Sequence, residues 1–446
     1  MAPKGYEKKS GNGWAKENYA WIIVGAVLVM QTVSSGIGFY NMSVYIKTFS
    51  DLLSVSLAEV SVAASLFYLT GGIAGLYVAA LMDRFPVRVL VFGGALLSSL
   101  ALALMGFARS LLELYCLFSL FGVGSAGISI VVSTTLITRW FEGPDRSMAL
   151  AVSSTGLSLG GFIWTPLTAY WINDLGALEA MWILAALLLI IVLPIGFILK
   201  FPDLKKSQLV SEASEEQELL DDLSLEEAYR STFYVLIVIA YIFIMCSQVG
   251  AIAHLYNRVD LVAGYDFAAQ SIQALSVASI LGRFFGGWLV NKISTSSFAL
   301  GNLCLQGLGL LLISLADNGA FSIFAALIFG LSVGNLLMTL PLWLAEVFPA
   351  GVYPRLFARA NAFSVLGLAV GPFTIGALFD LTDGYHIPYL FALFVSLLAF
   401  FVMLAAVKQN PAISRLLIDA GFLFKNQAIS SLEVVKLERT PLVDEV

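Results

Sequence analysis

The stretch Ser276-Val277-Ala278-Ser279-Ile280-Leu281-Gly282-Arg283-Phe284-Phe285-Gly286-Gly287-Trp288-Leu289-Val290 carries one charge in a run of apolar and small residues. In hydrocarbon a single segment can satisfy its backbone N–H and C=O groups only as a helix. The run therefore reads as a membrane helix. Starting near Ala268 and rising ~1.5 Å per residue, it places Arg283 about 22 Å along, close to the bilayer middle. A cation there costs roughly 2.5–3.5 kcal/mol on insertion scales, so such residues face a cavity or a partner and mark a pathway.

The rest of the chain agrees with that reading. Of 446 residues 59% are hydrophobic and 12% charged, with a mean hydropathy of +0.89. A soluble domain of this length would lack a charged surface. A core of ~30 Å needs about 20 apolar residues per span. Twelve such stretches are predicted, at 20–46, 58–82, 88–108, 111–138, 147–172, 178–200, 232–256, 266–290, 296–316, 320–345, 357–380 and 386–407. Short charged interruptions such as Asp83-Arg84-Phe85-Pro86-Val87-Arg88 divide them.

Basic residues orient the chain. Of the 24 Lys and Arg, twenty fall in the tails and even-numbered loops, while only Lys47, Arg109 and Arg258 fall in the odd-numbered loops. Both termini are expected in the cytoplasm, of a plasma membrane that the short loops assign to a bacterial inner membrane. The four lysines before the first span suit a retained helix rather than a cleaved signal. Cys116, Cys246 and Cys304 all lie in spans, which implies no disulfide framework.

Residues 201–231 form the one long polar interruption, with nine acids between Asp203 and Glu227. The expected organisation is a tail at 1–19, a six-helix bundle at 20–200, an acidic linker at 201–231, a second bundle at 232–408 and a tail at 409–446. Ser224 to Arg230 resembles a capping box opening a short interfacial helix. In the last tail, Ile413, Leu416, Leu417, Ala420 and Phe424 recur at helical spacing, as in an amphipathic surface helix. The halves echo each other: Asp83 and Asn291 are 208 residues apart, as are Gly122 and Gly330, and Gly156/Gly160 recur as Gly367/Gly371 after 211. The fold class is an all-α membrane protein with twelve transmembrane helices in two pseudo-symmetric six-helix bundles. Parallel repeats of this kind place a site between the halves near the midplane.

These landmarks resemble the major facilitator superfamily. Its loop 2–3 signature, Gly-x-x-x-Asp-Arg-x-Gly-Arg-Arg, is met by Ala79-Ala80-Leu81-Met82-Asp83-Arg84-Phe85-Pro86-Val87-Arg88, with both glycines and one arginine replaced. The second copy is Gly287-Trp288-Leu289-Val290-Asn291-Lys292. A narrower likeness, to the monocarboxylate transporter and oxalate/formate antiporter group, rests on three segments. They are Arg139-Trp140-Phe141 with Arg146, Gly156 and Gly160-Gly161; the approach to span seven; and Gln248-Val249-Gly250 with His254 and Ser279-Ile280-Leu281-Gly282-Arg283. The resemblance implies that an arginine at this place engages a substrate carboxylate. The animal members' aspartate one turn earlier is Ser279 here, and their helix-one lysine is Tyr40.

The candidate substrate residues are Arg283, Tyr40, Asn41, Gln248 and Asn335, with His254 the candidate for proton coupling. Arg283 can grip a carboxylate with two parallel hydrogen bonds. All 30 Asp and Glu fall in tails, loops or helix ends, so its anion is expected from outside the protein. The competing expectation is a structural arginine bonded to helix carbonyls. Asp83, Arg84, Arg88, Asn291 and Lys292 are expected to latch helices together, as the resemblance implies.

The expected function is secondary transport of a small organic anion, a monocarboxylate, by proton symport or anion exchange. One alternative is an exporter of amphipathic or neutral compounds, although Phe118 stands where such exporters place an arginine before the Gly122 glycine. Another is a transporter-like receptor. Walker, HExxH and metal-type Cys/His patterns are absent, so no enzyme, cofactor or metal is expected. The expected partners are the substrate, protons and the bilayer, without nucleic acid, in a monomer or weak oligomer.

Overall fold

The computed structural model describes residues 11–141, 143–202, 225–348 and 352–409. Among them twelve helices are long and apolar enough to cross a membrane: α1 Asn18–Tyr40, α2 Leu57–Leu81, α3 Val87–Met105, α4 Leu111–Trp140, α5 Met148–Leu175, α6 Ala177–Ile198, α7 Thr232–Ala263, α8 Tyr265–Leu289, α9 Thr295–Leu315, α10 Gly319–Val347, α11 Arg355–Thr382 and α12 His386–Gln409. Each predicted span has its helix. The capping serine Ser224, most of the acidic linker and the amphipathic pattern at 413–424 lie outside the described residues, although Leu225–Arg230 is helical as expected.

Two spans depart from regular helix. In α1 the segment Ser35–Tyr40 widens to a π turn, and Asn41 N–H reaches Gly36 O at 3.0 Å rather than Ile37 O. The carbonyl freed at Ile37 accepts from the Tyr45 hydroxyl at 3.0 Å. Such single π turns cluster at functional sites. The chain then continues as a helix over Met42–Leu53, beyond the predicted end. α4 breaks after Ala126 and restarts at Ile130, where the Ser129 side chain accepts from Val131 N–H. Close approach to α3 accompanies the break: a methyl on Gly127 would fall 2.9 Å from the Gly94 Cα.

The repeat in the sequence is a repeat in packing. Gly156 lies against Leu28 and Gln31 of α1, and Gly160 against Gly36; Gly367 lies against Cys246 and Met245 of α7, and Gly371 against Gly250. Gly122 meets Gly71 of α2, and Gly330 meets Leu275 and Ala278 of α8. Thus α5 sits on α1 as α11 sits on α7, and α4 sits on α2 as α10 sits on α8. Small residues at these crossings let backbones approach closely.

The halves face one another along two seams. Gly72 of α2 receives the Val365 side chain of α11, and Gly161 of α5 meets Ser276 of α8. Each half carries its own aromatic core, with Tyr45, Phe118 and Phe121 buried in the first and Tyr241 and Trp343 in the second.

Gly160→Val tests this packing. A side chain at Gly160 would fall 2.5 Å from Gly36 N, and overpacking of that kind costs about 1–3 kcal/mol. Thermal unfolding in detergent should show a lowered midpoint. Gly301→Ala, which meets open space, should not lower it.

Candidate functional site

Serine spacing builds the site around Arg283. Ser276, Ser279 and Arg283 stand at i, i+3 and i+7 and so share one face of α8. Ser154 and Ser158, four apart, share a face of α5. The two faces meet across the seam between the halves. The Ser158 hydroxyl donates to Ser279 Oγ at 3.1 Å, and Arg283 Nη1 donates to the Ser154 carbonyl at 2.5 Å. Arg283 is only 7% exposed. Its side chain crosses α10 at Gly334, where an added methyl would fall 2.6 Å from Arg283 Cγ.

Tyr40 completes this cluster. The π turn delivers its ring onto Gly161, where an added methyl would fall 2.7 Å from Tyr40 Cδ1. Its hydroxyl lies beside Ser158 and within the field of Arg283. Ser276 Oγ is buried there without a hydrogen-bond partner. Among the described residues no carboxylate forms an ion pair with Arg283; its contact is one backbone carbonyl. A guanidinium has five N–H donors, so the site is basic, desolvated and underfilled.

A proline positions the same seam further along. Pro166 interrupts α5, which removes the N–H that would bond the Phe162 carbonyl. That carbonyl accepts from Gln273 Nε2 of α8 at 3.2 Å.

The other candidates separate. Asn41 points within the first half, donating to Thr168 Oγ1 at 2.7 Å and to the Tyr45 hydroxyl at 3.4 Å. Gln248 and Asn335 belong to the second half: Gln248 donates to the Val333 carbonyl, and Asn335 to Asn302 Oδ1 and the Leu331 carbonyl. Gln248 Oε1 and Asn335 Oδ1 are each left unpaired. Asn335 packs against Gly286 of α8, three residues after Arg283.

His254 is fully buried, away from Arg283 toward the odd-loop end. Its Nε2 lies 3.0 Å from the Pro372 carbonyl and 3.1 Å from Ser61 Oγ; its Nδ1 lies 3.1 Å from the Tyr385 hydroxyl. A carbonyl only accepts, so the proton sits on Nε2 and Nδ1 accepts from Tyr385. The neutral ring is thereby satisfied on both sides. His386 pairs with Ser314.

At the even-loop end Asp83 pairs with Arg139 at 2.5 Å, joining loop 2–3 to α4 inside one half. Arg139 also stacks on Phe201, and Trp140 donates to the Lys200 carbonyl at 2.8 Å. The Arg139-Trp140 motif therefore fastens α4 to the end of α6. Asn291 bonds its own helix at the Gly287 carbonyl, while Arg84, Arg88 and Lys292 are exposed.

Sequence reasoning missed the places of Ser154, Ser158 and Ser276 around Arg283. The i, i+3, i+7 spacing of serines around Arg283 was the available signal, and the Gly160-Gly161 doublet marked the facing surface.

The sequence profile of the Major Facilitator Superfamily matches residues 28–353. The oxalate:formate antiporter of Oxalobacter formigenes is 30% identical over 194 residues, a match spanning 43% of this chain and 44% of the antiporter. Monocarboxylate transporter 13 of Rattus norvegicus is 24% identical over 379 residues, covering 84% of this chain and 86% of that one. Among solved structures, an inward-facing, unoccupied bacterial homolog of the human lysosomal transporter Spinster superposes with a TM-score of 0.70 at 15% identity, covering 87% of this chain and 97% of that one.

The interruption of α5 generates a coupling test. Gln273→Leu should destabilise the protein by about 0.6 kcal/mol, the average for a hydrogen bond between membrane helices. In a Pro166→Ala background residue 166 regains the N–H for the Phe162 carbonyl, and the same change should cost close to nothing. Unfolding free energies of the four variants check the cycle.

Proposed function

The chain belongs to the major facilitator superfamily, a family of membrane transporters rather than enzymes, and on that premise we propose that it moves a small organic anion, a monocarboxylate, by alternating access. The observation that carries this reading is Arg283: a buried guanidinium at the seam between the halves, held by one backbone carbonyl and, among the described residues, paired with no carboxylate. A buried charge without a counter-charge is strongly unfavourable. A substrate carboxylate supplies that charge and accepts two parallel N–H bonds.

In this reading the anion sits on Arg283 with Tyr40 and the unpaired Ser276 hydroxyl beside it. Gln248 and Asn335 shape the wall from the second half, and Asn41 holds the π turn that aims Tyr40. Because Arg283 and Tyr40 lie in different halves, an anion held between them touches both, and rocking of the halves about it exposes the site to each side in turn. The two bundles, 20–200 and 232–408, are the moving bodies, and the 201–231 linker tethers them. Asp83-Arg139 stiffens the even-loop end of the first bundle, with Arg84, Arg88, Asn291 and Lys292 available for latching as that end closes. The asymmetry of basic residues supports cytoplasmic termini, and the short loops support a bacterial inner membrane. The antiporter relative supports exchange as the coupling mode, and the monocarboxylate transporter relative supports the substrate class. In the symport form, His254 is the proton acceptor.

Counterflow of labelled monocarboxylates in proteoliposomes tests this. Arg283→Lys and Arg283→Ala should weaken apparent affinity roughly tenfold to a hundredfold, the worth of a hydrogen bond to a charged group. Unchanged uptake of every anion in both variants would contradict the proposal. Alkalinisation of the outside during net uptake marks symport; a requirement for internal anion without pH change marks exchange.

A further inference from the structure

The odd-loop end of the molecule is fastened by charges that cross from one half to the other. Lys47, in the helix that continues α1, lies with Nζ 3.3 Å from Asp260 at the end of α7 and 3.2 Å from Asp51. At the same end, Asp380 of α11 accepts from the Ala58 N–H of α2 at 3.0 Å. That N–H is one of the four at a helix start that have no intrahelical partner. The capping box of α2 uses Ser56 and Glu59 for their own N–H groups and leaves Ala58 free. The other half supplies the missing acceptor, as a carboxylate at the positive end of a helix.

The backbone is shaped for this contact. Gly376 stands one turn before Asp380 on the same face of α11, and a methyl there would fall 3.1 Å from Ala58 Cα and 2.6 Å from Ser61 Oγ. The ion pairs Asp83–Arg139 and Glu226–Arg230, at the even-loop end, each stay within one half.

We propose that Lys47–Asp260 and Asp380 on the first turn of α2 form a two-point clasp that closes the odd-loop end, and that this end opens only when both contacts break. Both contacts join the two halves, so separating the halves at this end takes them apart. Buried elsewhere, such pairs would be a static brace; here Lys47 is 39% exposed and Asp260 17%, so water can take over each charge as the end opens. The role in the transport cycle rests on the alternating-access reading. The clasp itself does not depend on which solute, if any, is carried.

The test is a distance measurement. In a chain carrying Cys116→Ser, Cys246→Ala and Cys304→Ser, spin labels are placed at Leu52 and Leu381, exposed positions at this end in opposite halves. Double electron–electron resonance in liposomes should show a dominant short distance. Lys47→Ala and Asp380→Ala should each raise the ratio of long to short distances roughly two- to fivefold, the worth of an exposed ion pair. Both together should raise it further. Lys47→Glu should lose the short population, and adding Asp260→Lys should recover it. Distributions that are the same in all variants, or no recovery in the charge exchange, would overturn the clasp. A protein that failed every carboxylate counterflow assay while showing these shifts would refute the proposed substrate and leave the clasp standing.

Discussion

A guanidinium buried inside a membrane span and, among the described residues, paired with no carboxylate is the constraint that orders this molecule. The cost of placing Arg283 there is several kcal/mol unless the surroundings return it. What the fold supplies is one carbonyl, at Ser154, and a ring of hydroxyls from Ser158, Ser279 and Tyr40. These are partial charges and cannot neutralise a full one. In the proposed function, the charge these groups leave unbalanced is met by the carboxylate of the substrate.

The scaffold converts ordinary helix defects into this arrangement. The π turn at Ser35–Tyr40 aims Tyr40 at α5, and Tyr45 fills the carbonyl the turn exposes. Pro166 opens another carbonyl, which Gln273 fills from the other half. Glycines at 160, 161, 334 and 371 remove the side chains that would hold the helices apart. Each defect would be costly in lipid if left bare, and each is answered by a side chain from a neighbouring helix.

Much of this was legible in the sequence. Apolar runs of about 20 residues gave all twelve spans because hydrocarbon thickness sets span length directly. The spacing of Gly122 to Gly330 and of Gly156 to Gly367 exposed the duplication, since glycine at a helix crossing is a packing requirement. Arg283 stood out because charge is rare in such a run. What was less legible depends on pairing between distant segments. Asn41, a candidate substrate residue, is held by Thr168, 127 residues away. His254, the candidate for proton coupling, is enclosed by Ser61, Pro372 and Tyr385 from distant parts of the chain. The break in α4 and the π turn in α1 leave no apolar periodicity to read, because both lie inside uniformly apolar spans.

If the counter-charge of Arg283 is a substrate carboxylate, the two groups are in direct contact in the loaded protein. Solid-state NMR of the protein in lipid, with guanidinium nitrogens labelled in arginine and the carboxyl carbon labelled in a transported monocarboxylate, measures that contact. A nitrogen–carbon dipolar contact at hydrogen-bonding range is expected in the native protein and should disappear in Arg283→Lys. A bound, transported carboxylate whose carboxyl carbon shows no contact to any arginine nitrogen would contradict it.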